Sequence, residues 1–252
     1  MEPKGSPLTM SGAVVIAGAL IAVAIIWTQQ KPVSSNTAAT TDSLPNPLSQ
    51  VTMAPISSSD HIYGNPNAPV KIVEYSDPSC PYCQAFNPVM EQIVAEYGAT
   101  GQVAWVYRQF PLDKPGQDGK IFHPNSGRQA EALECAAAVG GSTAFWAYEK
   151  AWFGTYYPQD GAQESSSVSD QQIAATAKDV KLDPIAFNDC ISSERFKARL
   201  DAQYTDGINV GVAGTPTSVL VTPTGSKILL PGLQTYTTLK TAIETLLPQS
   251  SQ

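Results

Sequence analysis

The apolar run VKIVEYSD, residues 70–77, leads within three residues to Cys80, and Pro81 and Tyr82 separate Cys80 from Cys83. The turn-forming stretch GNPNAP lies just upstream, so the run reads as a buried strand. Beyond the cysteines, Phe86, Val89, Met90, Ile93, Val94 and Tyr97 recur at helical spacing, and Gly98 marks a stop. The spacing predicts a helix that opens on the two cysteines, with a kink at Pro88. A second strand follows in VAWVYRQF, residues 103–110. The chain is thereby committed to a strand, helix, strand unit with a CxxC pair at the mouth of its helix.

The next strand signal comes about a hundred residues later. In between, Ala132, Cys135, Ala136 and Val139 share one helical face, and AFWAYEKAWF (144–153) continues the pattern. Ser169 followed by Gln172 forms a capping box before IAATAKDV, and Asp183 with Pro184 supplies an N-cap and first-turn proline for a short helix carrying Cys190. A longer helix is predicted from about Glu194 to Asn209, and the polar, serine-rich stretch 159–167 as an exposed loop tip. Strands return with TSVLVT (217–222) and SKILLP (226–231), and a helix around Thr237 to Leu247 closes the chain. The pattern is α/β, a sheet with a helical block at about 124–210 inserted in its middle. Neither a GxGxxG nor a phosphate loop is present, and no repeat is evident.

Residues 10–27, MSGAVVIAGALIAVAIIW, carry no charge, and at about 1.5 Å per helical residue they come close to spanning a bilayer core. Two readings stay open, a signal peptide or a single transmembrane anchor behind a short tail (1–9). Bulky Ile25, Ile26 and Trp27 stand where a signal peptide would place small residues, which favours the anchor. Residues 28–59 are rich in Ser, Thr, Pro, Asn and Gln and predict a disordered linker with an end-to-end distance of roughly 30 Å. About 190 residues, 60–248, are left for one folded domain. Lys4 and Lys31 flank the apolar span on opposite sides, so charge alone does not orient it. A net charge of −7 without a Lys/Arg run argues against nucleic acid as a partner.

Four readings of Cys80 and Cys83 compete. Haem attachment needs a histidine after the second cysteine, where Gln84 stands. Structural zinc needs two paired ligand clusters, yet Cys135 and Cys190 are isolated and the histidines are only His61 and His123. A purely structural disulfide across so short a loop would contribute less than about 2 kcal/mol before strain. A redox pair fits the local sequence. At a helix N-terminus the unpaired N–H groups favour the thiolate of Cys80, Pro81 presets the first helical turn, Tyr82 sets local bulk, and Cys83 follows buried as the resolving thiol.

The stretch DHIYGNPNAPVKIVEYSDPSCPYC, together with GVAGTPTSVLV at 211–221, resembles the DsbA-like thiol-disulfide oxidoreductases of the thioredoxin superfamily over about residues 60–248. The resemblance implies a thioredoxin fold with a helical insertion and needs neither cofactor nor metal. It implies that Thr215 and Pro216 form a cis-proline loop beside the CxxC, where extended substrate pairs with backbone, against the plain alternative of a turn before a strand. It implies that Glu74, on the strand beneath the motif, relays a proton to or from Cys83, against the alternative of an exposed edge carboxylate. Cys135 and Cys190 resemble the extra disulfide of a subset of these proteins, with two buried free thiols as the alternative. No site role for His123 follows from sequence.

The function so implied is an oxidase that hands its Cys80–Cys83 disulfide to unfolded or partly folded cysteine-containing proteins and is reoxidised by a membrane redox partner, quinone-linked or similar. A membrane-tethered reductase or isomerase is the alternative enzyme, and a non-catalytic substrate-binding or chaperone module the alternative of another class. Cysteine usage places the domain outside the cytoplasm, in the periplasm or at the cell exterior of a bacterial envelope. The pair Pro81-Tyr82 departs from the Pro-His of the best-known DsbA enzymes and removes one cation from beside Cys80.

Overall fold

The computed structural model describes residues 52–115, 119–155 and 170–247. Five strands form one sheet in the order β1-β3-β2-β4-β5: β1 (His61–Gly64), β2 (Val70–Ser76), β3 (Val103–Gln109), β4 (Thr217–Val221) and β5 (Lys227–Pro231). β2 and β3 are parallel and the other neighbours antiparallel. The parallel pair is central, and every residue of β3 and six of the seven in β2 are buried, which is why both read as continuous apolar runs. Helix α1 (Pro81–Ile93) is the crossover between them; it runs on past Pro88 and passes into a π-helical turn at Val94–Gly98.

The inserted block comprises α2 (Ser126–Thr155), α3 (Asp170–Asp179), α4 (Pro184–Ser193) and α5 (Lys197–Val210), and α6 (Tyr236–Leu246) closes the fold. α2 is two helices joined by a kink at Gly141, whose φ of 73° and ψ of −168° lie outside the helical region. Asp183 Oδ1 accepts from Ala186 N–H at 2.7 Å and caps α4. A disulfide joins Cys135 on α2 to Cys190 on α4, with Cα atoms 5.7 Å apart.

Strand alternation divides the core between the two faces of the sheet. Val70 and Ile72 of β2 and Val103, Trp105 and Tyr107 of β3 face α1, α2 and α6, meeting Phe86, Met90, Phe145, Trp152 and Leu239. Val73, Tyr75 and Val106 face the other way, against Phe110, Val210 and Val219. α5 packs so closely there that a Cβ on Gly207 would lie 2.5 Å from the Phe110 ring.

One expectation needs correction. The linker predicted through residue 59 ends earlier, because Met53 is only 8% exposed and packs into the second core. Asp206 Oδ1 accepts from Ala54 N–H at 2.6 Å, and Arg108 Nη2 donates to the carbonyls of Ala54 and Pro55 at 3.1 and 3.3 Å. Burial of one methionine and a guanidinium's spare donors outweighs the ordering entropy that the composition implied. The edge strand β1 was not anticipated, and it pairs with β3 over four residues. The predicted anchor at 10–27, the linker up to residue 51, the cap residue Ser169 and the loop 159–167 lie outside the described residues; among the described residues no helix is long and apolar enough to cross a membrane.

Candidate active site

β2 delivers the chain to the site and Asp77 turns it. Asp77 Oδ1 accepts from Ser79 N–H at 2.6 Å, and Asp77 C=O accepts from Cys80 N–H at 2.9 Å. This short turn leaves Cys80 extended (φ −86°, ψ 121°) as the N-cap of α1, with Pro81 in the first helical position. Cys80 C=O accepts from the N–H groups of Cys83 and Gln84, both at 3.1 Å, so the helix begins within the motif itself. Tyr82, 63% exposed, projects outward. Gln84 Nε2 donates to Phe153 C=O at 2.8 Å, and Trp152 Nε1 to Pro78 C=O at 2.8 Å, which pins the turn and the helix start to α2.

The two thiols occupy different surroundings. The Cys80 thiol donates to Thr215 C=O at 3.3 Å, and the peptide bond from Thr215 to Pro216 is cis. Cys83 is fully buried, and its Sγ accepts from Asp77 N–H at 3.4 Å. The Cys83 thiol, which hydrogen-bonds Cys80, brings the Cys80 pKa down to about 6 against the opposing effect of burial. Burial pushes the Cys83 thiol well up, and the neighbouring Cys80 and Glu74 charges push the same way. At neutral pH one sulfur is a thiolate and the other a thiol.

Glu74 lies beneath the pair on β2, on the same strand face as Ile72 and opposite Tyr107 of β3 and Ser218 of β4. It is 1% exposed, and burial lifts its pKa to about 7 despite Ser76 and Trp105, which act downward. The structure thus places Cys80, Cys83, Pro81, Tyr82, Thr215, Pro216 and Glu74 about one end of β2, and sets Cys135 and Cys190 apart as a bridge within the helical block.

Three charged residues unassigned from sequence also belong here. Asp77 is fully buried and its Oδ2 lies 2.8 Å from His123 Nδ1. Glu149 on α2 is buried, accepts from Asn87 of α1, and is pushed well up by burial with Glu74 adding to the effect. A signal for Glu149 did exist, since it falls on the apolar stripe Phe145, Glu149, Trp152. His61, the other histidine, instead stacks on Phe145 and pairs with Glu134 at 3.0 Å. Among the described residues no cluster of His, Cys, Asp and Glu has the makings of a metal site.

The sequence model of the family described as Thioredoxin matches residues 57–244. The chain belongs to the thioredoxin family. Among solved structures, this thioredoxin-family fold is similar to DsbA2 of Pseudomonas aeruginosa (25% identity, TM-score 0.59, covering 79% of this chain and all of that one). It is also similar to oxidised BdbD of Bacillus subtilis, with TM-score 0.62, 21% identity, and 77% and 96% of the two chains covered, a likeness of fold. A Na(+)/H(+) antiporter NhaA 3 of Salinispora tropica is 31% identical over 159 residues, 63% of this chain. The match spans only 21% of that antiporter's length. The described part of the chain is therefore a DsbA-like thioredoxin fold with a helical insertion.

Proposed function

We propose that the chain is a thiol-disulfide oxidoreductase which donates its Cys80–Cys83 disulfide to cysteine-containing proteins outside the cytoplasm. The observation that carries this reading is the unequal pair: Cys80, brought down to about 6 at a helix N-terminus beside the cis-proline loop, next to a fully buried Cys83. A substrate thiolate attacks Cys80 Sγ of the disulfide and Cys83 leaves, taking a proton for which Glu74 is the candidate donor. A second substrate thiolate then attacks the substrate sulfur of the mixed disulfide and releases Cys80 as a thiolate. Two electrons pass from substrate to enzyme, the substrate closes its disulfide, and the chain is left as the dithiol.

Stabilising the departing Cys80 thiolate stabilises the reduced enzyme, and that drives oxidation of the substrate. Thr215, whose carbonyl accepts from the Cys80 thiol at 3.3 Å, is the candidate to pair through its backbone with an extended substrate. Reoxidation falls to a membrane redox partner, quinone-linked or similar, which a transmembrane anchor at 10–27 would keep close. The antiporter likeness lends this chain no transport role, since it covers about a fifth of that protein.

The deciding experiment is the reduction potential of the Cys80–Cys83 couple, measured on the full chain equilibrated with glutathione. A value near or above about −200 mV supports a disulfide donor. A value near about −270 mV overturns it in favour of a reductase fed with electrons from elsewhere. Cellular function retained by Cys80→Ser would sink every exchange reading and leave a binding module.

A further inference from the structure

The segment between β3 and α2 comes back to the dithiol through Asp77. Beyond its contact with His123, Asp77 Oδ2 accepts from Leu112 N–H at 2.9 Å. His123 is fixed at both ends of its backbone, its N–H donating to Leu112 C=O and its C=O accepting from Ser126 N–H, each at 3.0 Å. Its side chain is 19% exposed. Asp77 meanwhile touches both cysteines through its own backbone, so the imidazole, the carboxylate and the dithiol form one connected unit.

We propose that His123 is a positioning residue that acts through Asp77 to set a positive charge beside the dithiol, holding Cys80 as a thiolate. The inference rests on the exchange reading and names the group that tunes that site. A buried carboxylate this close opposes a neighbouring thiolate, and Asp77 does act upward on Cys80. An imidazolium paired with that carboxylate cancels the opposition. The motif offers no cation of its own, since Pro81 and Tyr82 separate the cysteines. Of the lysines near this segment, Lys114 and Lys197 both pair with Asp201, at 2.5 and 3.3 Å.

The charged groups bearing on His123 are Asp77, just past β2, and Cys80, the N-cap of α1. Burial acts downward on the imidazole, whereas the hydrogen bond and charge of Asp77, and then the charge of Cys80, act upward, and the balance is upward from 6.5. Cys80 titrates at about 6, so thiolate and imidazolium coexist above that pH and below the titration of His123. As His123 deprotonates, the thiolate loses its support and the couple becomes more reducing.

The test is the ultraviolet thiolate titration and the reduction potential of the reduced full chain carrying His123→Asn or His123→Ala. Asn retains a donor near the Nδ1 position without the charge; Ala retains neither. Both are expected to weaken the Cys80 acid constant about three- to tenfold, tenfold being equivalent to about 30 mV in the couple. A wild-type titration in His123→Asn overturns the proposal, whatever the Ala variant does to stability. In an Asp77→Asn background the same His123 substitution is expected to add nothing, and a full-sized further shift overturns the route through Asp77. If the variants do not fold, the wild-type potential carries the test through an extra pH dependence across the titration of His123, and its absence refutes the idea. Exchange of wild type with oxidised glutathione is scored alongside. If wild type does not exchange, the exchange reading fails; if it exchanges and the His123 variants match it, only this proposal fails.

Discussion

Replacing Glu74 with Gln reads out the cost of the carboxylate under the dithiol. Glu74 is 1% exposed and its pKa rises from 4.5 to about 7, so ionising it in the folded protein costs about 3 kcal/mol more than in the unfolded chain. Burial this complete calls for no discount for solvent screening. Because the folded pKa is the higher one, the folded state binds the extra proton between the two values, and wild-type stability falls as pH rises from about 4.5 through 7. Above that window the cost is complete; below it the cost vanishes. Gln is neutral throughout. The stability of Glu74→Gln relative to wild type is therefore expected to grow by about 3 kcal/mol between about pH 4.5 and pH 8.

Urea unfolding of both reduced proteins across that range supplies the measurement. Any constant offset from fitting an amide at this site cancels in the comparison, as do titrations common to both proteins. Parallel stability curves for the two proteins would show that Glu74 titrates like an ordinary carboxylate and refute the burial argument. The same substitution removes the candidate proton donor for Cys83, so exchange is expected to slow by about a hundredfold or more if the relay operates. Unchanged exchange with diverging stability curves would separate burial from relay and leave only the first.

Three further outcomes are expected. Cys83→Ser accumulates mixed disulfides with substrate proteins on non-reducing gels while Cys80→Ser accumulates none, and the reverse pattern would exchange the two roles. Replacing Cys135 and Cys190 together by Ala, which opens a loop with ends 55 residues apart, lowers unfolding free energy by about 2–4 kcal/mol and leaves the Cys80–Cys83 potential unchanged. Arg108→Met strands Asp60 and Asp206, now held at 2.9 and 2.7 Å, and is expected to cost about 3–5 kcal/mol by urea unfolding with faster proteolysis before β1; a loss under about 1 kcal/mol would refute the buried pairing.

The central strands were legible because a strand buried on both faces must be apolar almost throughout, as β2 and β3 are. β1 has four residues, two of them exposed, and owes its existence to the ladder it makes with β3. Met53 and Ile56 lie in a serine- and proline-rich stretch, tied down at Ala54 by Arg108, a charge hidden within a strand that read simply as apolar. The helix expected from Glu194 begins at Lys197, since Glu194 adopts a left-handed φ of 46° after α4. Adjacency in sequence made Cys80, Pro81, Tyr82 and Cys83 readable together. The Asp77–His123 pair spans 46 residues, and no local pattern encodes it.

The spacing of a CxxC says nothing about which sulfur is the stronger acid. Here the difference comes from placement: α1 begins on Cys80 and carries Cys83 into a fully buried position near Glu74 of β2. Burial above all, then the hydrogen bond and charge of Cys80 and the charge of Glu74, favour a protonated Cys83. On the other side the Asp77 charge acts upward on Cys80, and the proposed imidazolium at His123 opposes that push. On the proposal above, losing the His123 charge would weaken the Cys80 acid constant about three- to tenfold and make the couple more reducing by up to about 30 mV. The potential should therefore track the charge at His123, rising as the imidazole is protonated.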